Sequence, residues 1–110
     1  MLTADEIKRL LRLEPLPREG GFFRETYRSV LRTRSASGED RCAATAIYSL
    51  LTPGAFSVLH RLPGDEAFHF YLGDPVEMLQ LHAGGASRIV VMGNDLAADM
   101  QAQVVVPGGV

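Results

Sequence analysis

The sequence predicts an all-β domain with one short helix at its N-terminus. Segments of alternating apolar and polar residues recur about every ten residues, and Pro, Gly, Asn and Asp separate them, which is typical of sandwiches and barrels. Helical spacing of apolar residues is confined to Ile7, Leu10 and Leu11. Because 110 residues suffice for one core, residues 1–110 are interpreted as a single domain.

The first 19 residues are interpreted as a helix and an arm that precede the β domain of residues 20–110. Thr3 and Glu6 form a capping box, so we expect a helix from Ala4 to Leu13. Pro15 and Pro17 then prevent its continuation.

Short strands are expected along the rest of the chain. The Gly20–Gly21 pair allows a tight turn or a close backbone contact before the first of them. The polar, Gly-containing stretch 35–40 is expected to be a loop or a mobile arm. Strands are predicted at 22–29, 45–51, 76–82, 88–92 and 101–106; residues alternate with period two in 22–29 and 76–82, and 88–92 is apolar on both faces.

The stretch 54–73 is expected to form a central β-hairpin. Pro63-Gly64-Asp65 separates two alternating runs, and one face of these runs carries Phe56, Val58, His60, Leu62, Glu66, Phe68, Phe70 and Leu72. The hairpin would bring His60 and Glu66 together among apolar side chains. Polar groups in such surroundings cost free energy unless they are paired, bound or open to solvent.

The spacing of this stretch resembles a known signature. Gly54, His60, Glu66 and Gly73 match G-x5-H-x-H-x3-4-E-x6-G, the first signature of the cupin superfamily, with Leu62 in place of the second His. Further segments resemble a small cupin branch without a settled activity, cupin family 5: Leu16–Ser29, Thr45–Tyr48, Asp65–Tyr71 and Gly93–Leu96. The resemblance implies a double-stranded β-helix, the cupin jelly roll.

The second cupin signature, G-x5-P-x-G-x2-H-x3-N, is matched only in part. Pro107 and Gly109 fit its P-x-G, Gln101 replaces its leading Gly, and the sequence stops before its His. We therefore expect a jelly roll with truncated C-terminal strands. An exposed edge of this kind favours aggregation, so we expect a partner subunit, in a homodimer, or the N-terminal arm to cover it.

Charge and composition exclude several classes of function. A net charge of −2 gives no basic field for nucleic acid, and no apolar run has the length of a membrane span. A single cysteine, Cys42, excludes an intrachain disulfide and fits a reducing compartment, so a cytoplasmic location is expected. Arginines cluster in the first half of the chain, where one of them could contact an anionic ligand.

The cupin resemblance implies a metal site with ligands from both signatures, of which this chain keeps only His60 and Glu66. Two protein ligands do not hold a transition metal tightly, so no firm cofactor is expected; a divalent metal, if bound, would use these two residues. His69 would face the opposite side of its strand.

Three functions remain open from the sequence. The preferred one is a protein that binds a small molecule in the barrel mouth, with His60 and Glu66 as polar contacts and Phe56, Phe68 and Phe70 as apolar wall. The second is a metal-free isomerase or epimerase acting on a sugar derivative or a similar polar metabolite, with His60 as general base and Tyr48 as the candidate acid, which resembles the sugar-nucleotide epimerases of the superfamily. The third is a metal-dependent cupin enzyme, against which Leu62 argues.

Overall fold

The structure is a computed structural model that describes residues 1–110. The chain forms two compact units, Met1–Leu59 and His60–Val110. The regular structure of both units is mainly antiparallel strands, and one short helix lies at the start of the chain. The expectation of a mostly β protein with an N-terminal helix is confirmed.

In the first unit, helix α1 runs from Ala4 to Leu11. The Thr3 hydroxyl oxygen accepts a hydrogen bond from the Glu6 amide at 3.1 Å, which confirms the N-terminal cap. The helix ends two residues earlier than Leu13 because Arg12 adopts the left-handed conformation, with φ of 56°.

One three-stranded sheet follows the helix. It consists of β1 (Glu14–Pro15), β2 (Phe22–Arg28) and β5 (Thr45–Leu50) in that order, and all neighbours are antiparallel. The close backbone contact predicted for the glycine pair is present, since a Cβ on Gly20 would lie 2.3 Å from the Phe56 carbonyl oxygen.

The loop predicted at residues 35–40 is confirmed for residues 35–39, which connect two short strands that the sequence did not predict. Strands β3 (Arg32–Arg34) and β4 (Asp40–Cys42) pair only with each other. These strands were not predicted because almost every one of their residues is polar, so apolar and polar residues do not alternate. Their pairing is supported by an ion pair between Arg32 and Asp40, 3.1 Å long.

In the second unit, two antiparallel pairs enclose a small core. β6 (Glu66–His69) pairs with β9 (Gln103–Val106), and β7 (Val76–Leu81) pairs with β8 (Ser87–Met92). A single parallel bridge joins Met92 to Gln101. The buried apolar residues are Val90, Met92 and Val104.

The predicted hairpin across residues 54–73 is wrong. Its second run forms β6, but the partner of β6 is β9, and residues 56–62 form no strand. Backbone groups of this first run bond elsewhere: the Val58 amide donates to the Glu19 carbonyl, and the Leu62 carbonyl accepts from Gly109. Alternation indicates extended chain, but it does not specify which segment pairs with which.

Candidate functional site

His60 and Glu66 lie close together although no hairpin joins them. His60 Nε2 is 3.9 Å from Glu66 Oε1. That distance is too long for a direct hydrogen bond and short enough for an ion pair when the imidazole is protonated. The two side chains are 28% and 35% accessible, so both are partly open to solvent.

The turn between these two residues is closed by the segment that follows β9. Asp65 Oδ1 accepts a hydrogen bond from the Gly108 amide at 2.8 Å, and the Leu62 carbonyl accepts one from Gly109 at the same distance. A Cβ on Gly108 would lie 2.3 Å from the Pro63 carbonyl oxygen. The backbone that carries both His60 and Glu66 is therefore held in place by residues more than forty positions away.

Strand β6 presents Glu66 and Phe68 on one face and His69 on the other. Glu66 lies opposite Val106 in the ladder, and Phe68 lies opposite Val104. Phe68 packs against the core of the unit, as does Phe70 just after the strand. Both phenylalanines are half-buried, and their place in the wall of a ligand site stays a prediction.

His69 faces away from Glu66, as strict alternation requires. It is exposed, and its Nδ1 lies 3.3 Å from the Gln103 side-chain nitrogen. Its ring also stacks on Tyr71, with ring centroids 6.4 Å apart. His69 is therefore a natural control residue for experiments on His60.

The candidate residues Tyr48 and Phe56 belong to the first unit, so their part in the site stays a prediction. Tyr48 lies on β5 opposite Arg24, whose guanidinium carbon is 5.7 Å from the centre of the tyrosine ring. Arg24 Nε also donates a 2.6 Å hydrogen bond to the Leu11 carbonyl, which fixes the guanidinium between helix and sheet. The Phe56 side chain is exposed.

The donor set does not fit a tightly held metal. No three His, Cys, Asp or Glu side chains come together in a way that could bind a metal ion. His60 and Glu66 supply two donors, whereas stable transition-metal sites use three or more protein ligands.

Arginines line a shallow open depression on the β3–β4 hairpin. Its walls are Arg32, Thr33, Arg34 and Asp40. Asp40 already pairs with Arg32, so the depression is only weakly basic and gives little support to an anion site.

Sequence reasoning missed two residues that position the candidate groups, Asp65 and Arg24. Asp65 was visible as a turn residue after Pro63 and Gly64, and such residues often accept backbone hydrogen bonds. No pattern near Gly108 in the sequence indicated that its amide donates a hydrogen bond to Asp65. The contact of Arg24 with Tyr48 depends on the register of β2 and β5, which no residue pattern specified.

Comparison with known proteins identifies relatives over almost the whole chain. The family model described as cupin superfamily (DUF985) matches residues 5–110. A hypothetical protein from Leishmania major is 34% identical with a TM-score of 0.91, and 98% of this chain is covered. A protein from Shewanella oneidensis is 35% identical with a TM-score of 0.88, and 99% of this chain is covered.

The chain spans 66% of the length of each of these two solved proteins. No match was found among curated proteins. No helix in the structure has both the length and the apolar character that crossing a bilayer requires.

Proposed function

We propose that this chain, which belongs to the DUF985 family of the cupin superfamily, binds a small polar molecule at the His60–Glu66 pair of its second unit. The observation that carries the proposal is the 3.9 Å separation of His60 Nε2 and Glu66 Oε1, both partly accessible. The turn between His60 and Glu66 brings these two side chains together, and the hydrogen bond from the Gly108 amide to Asp65 stabilises that turn.

The separation of the two atoms suits a hydroxyl group. A hydroxyl oxygen about 2.8 Å from each atom can accept a hydrogen bond from the imidazole and donate one to the carboxylate. Charge-assisted bonds of this kind are stronger than neutral ones. We therefore favour ligands rich in hydroxyl groups, such as sugar derivatives, over purely apolar ones.

The apolar part of the proposed site is Phe68 and Phe70. Small-molecule sites combine apolar walls with a few polar groups that orient the ligand, and Phe68 shares the face of β6 that carries Glu66. The ring of a sugar derivative presents apolar C–H faces that can lie against a phenylalanine.

The proposal also covers the oligomeric state and the cellular compartment of the protein. A homodimer is proposed because large apolar side chains are exposed in both units, among them Val30 and Ile89. A reducing, cytoplasmic compartment is proposed because Cys42 is a free thiol.

A thermal-shift screen tests the ligand proposal. The wild-type protein is screened against sugar nucleotides, hexose phosphates, nucleobases and keto acids, and active compounds are repeated with His60→Ala and His69→Ala. A ligand that binds only the native state stabilises the protein by mass action. We therefore expect the ligand to raise the Tm of the wild-type protein and of His69→Ala, but not that of His60→Ala. A rise that His60→Ala retains would refute the proposed site.

The same samples distinguish binding from catalysis. One-dimensional NMR of each stabilising compound, incubated with the protein, reports whether it is converted. Unchanged compound supports a binding protein, and conversion that is lost in His60→Ala supports the isomerase alternative, with His60 as general base.

A further inference from the structure

The β3–β4 hairpin with its flanks, residues 29–44, extends from the end of the β2–β5 ladder, where Arg28 donates a hydrogen bond to the Cys42 sulfur; it is called the arm below. Its strands pair only with each other, and its inner backbone bonds join Ser29 to Ala44 and Ala43 to Leu31. Beyond that ladder the arm is a hairpin of only two strands, an arrangement that is marginally stable by itself in water. The arm therefore gains stability from any surface that covers it.

The base of the arm carries two apolar side chains in solvent. Val30 is 93% exposed and Leu31 is 69% exposed. The strands beyond them are polar, with ion pairs from Arg32 to Asp40 and from Arg41 to Glu39. Arg34 takes part in neither pair and is exposed, so the arm offers an apolar base and one available cation.

A matching surface lies on the second unit, on the side of the β7–β8 pair that faces away from the core. We call it the outer face; it consists of Glu77, Leu79, Leu81, Ile89 and Val91. Leu79 and Ile89 are direct cross-strand neighbours, and they are 45% and 65% exposed. The opposite side of the same strands carries the buried residues Gln80, Val90 and Met92.

The charges of the two units are complementary. The second unit carries two arginines against six carboxylates, whereas the first carries nine basic against seven acidic residues. Glu77 lies beside the apolar residues of the outer face, as Arg34 lies beyond the apolar base of the arm. A second copy of this chain carries both surfaces, so its arm can bind the outer face of the first copy and its outer face can bind the arm of the first copy.

We propose that two copies associate by exchanging arms, so that Val30 and Leu31 of each copy pack on the outer face of the other and Arg34 pairs with Glu77. Each copy has one arm and one outer face, so a two-fold axis uses all four surfaces and closes the assembly. This inference rests on the homodimer proposed above and specifies its interface.

Sedimentation equilibrium with point variants tests the interface. We expect a wild-type dimer that weakens at least about tenfold with Leu31→Asp and equally with Ile89→Asp. Leu72→Asp is the matched control, because Leu72 is exposed and lies on neither surface; it should leave the dimer intact. Far-UV circular dichroism checks that all three variants stay folded.

A charge exchange and a cross-link identify the contact itself. Arg34→Glu and Glu77→Arg should each weaken the dimer, and the double variant should restore it. In a Cys42→Ser background, a mixture of Leu31→Cys and Ile89→Cys chains should form disulfide-linked dimers under mild oxidation, whereas neither variant should do so alone.

The outcomes separate this inference from the homodimer on which it rests. A monomeric wild-type protein would refute both. A dimer that is insensitive to Leu31→Asp and Ile89→Asp, or that cross-links only between two Leu31→Cys chains, would refute the arm exchange and leave the homodimer standing.

Discussion

Glu66 Oε1 lies 3.9 Å from His60 Nε2 at a turn that residues following β9 hold closed. The Asp65 carboxylate binds the Gly108 amide, and the Leu62 carbonyl binds that of Gly109. The geometry of the candidate site thus depends on a backbone contact distant in sequence, and this dependence can be measured.

Replacing Asp65 tests the side-chain half of this contact. Asp65→Ala removes the acceptor of a 2.8 Å hydrogen bond and should lower the free energy of unfolding by about 1 kcal/mol. Asp65→Asn keeps an acceptor oxygen and should lose less than half as much. Urea denaturation measures both, with Asp74→Ala, on an exposed turn, as a control expected within about 0.5 kcal/mol of wild type. Equal losses for Ala and Asn would contradict the role of the hydrogen bond.

Replacing Gly108 tests the backbone half. A Cβ there would lie 2.3 Å from the Pro63 carbonyl oxygen, so Gly108→Ala must displace one of the two segments and should cost about 1–3 kcal/mol. Gly64→Ala is the matched control, since its Cβ would have no neighbour within 4 Å. Similar unfolding free energies for the two variants would show that the close approach is unimportant.

In the first unit, Arg24 should be poorly replaced by lysine. Its Nε bonds the Leu11 carbonyl while the guanidinium lies over Tyr48, and a single ammonium cannot keep both contacts. Arg24→Lys should lower stability by about 1 kcal/mol, whereas Arg34→Lys, at an exposed site in the arm, should change it by less than about 0.5 kcal/mol. Chemical denaturation of the two variants compares them directly, and a smaller effect at Arg24 would contradict this account.

The donor set predicts weak metal binding. Because His60 and Glu66 supply only two ligands and no cluster of three donors forms, EDTA should leave the Tm unchanged and zinc should not remain after dialysis. Differential scanning fluorimetry and elemental analysis provide these measurements. A Tm that falls with EDTA and recovers with zinc, with stoichiometric metal retained, would contradict the prediction.

Much of the fold could be predicted from local patterns, and the unpredicted parts share a physical cause. The cap at Thr3 and strands β2, β5, β7 and β8 were predicted from local sequence patterns, and β7 shows the alternating burial that a period of two implies. The pairing of β6 with β9 joins residues such as Glu66 and Val106, forty positions apart, and alternation says nothing about distant partners.

In the candidate site, too, local patterns were informative and contacts between distant residues were not. The expectation that His60 and Glu66 lie close together is met at a separation of 3.9 Å, although the hairpin that was expected to join them does not exist. What brings them together is a turn supported by Asp65 and Gly108, a contact that no local pattern encodes.

The most direct test of the account is isothermal titration calorimetry of the best hydroxyl-rich compound from the screen, with wild type, His60→Ala, Glu66→Gln and His69→Ala. Each lost charge-assisted hydrogen bond should cost about 1.5–3 kcal/mol, so the Kd should rise at least about tenfold in the first two variants and stay unchanged in the third. Wild-type affinity in both His60→Ala and Glu66→Gln would contradict the proposal that this pair binds the ligand.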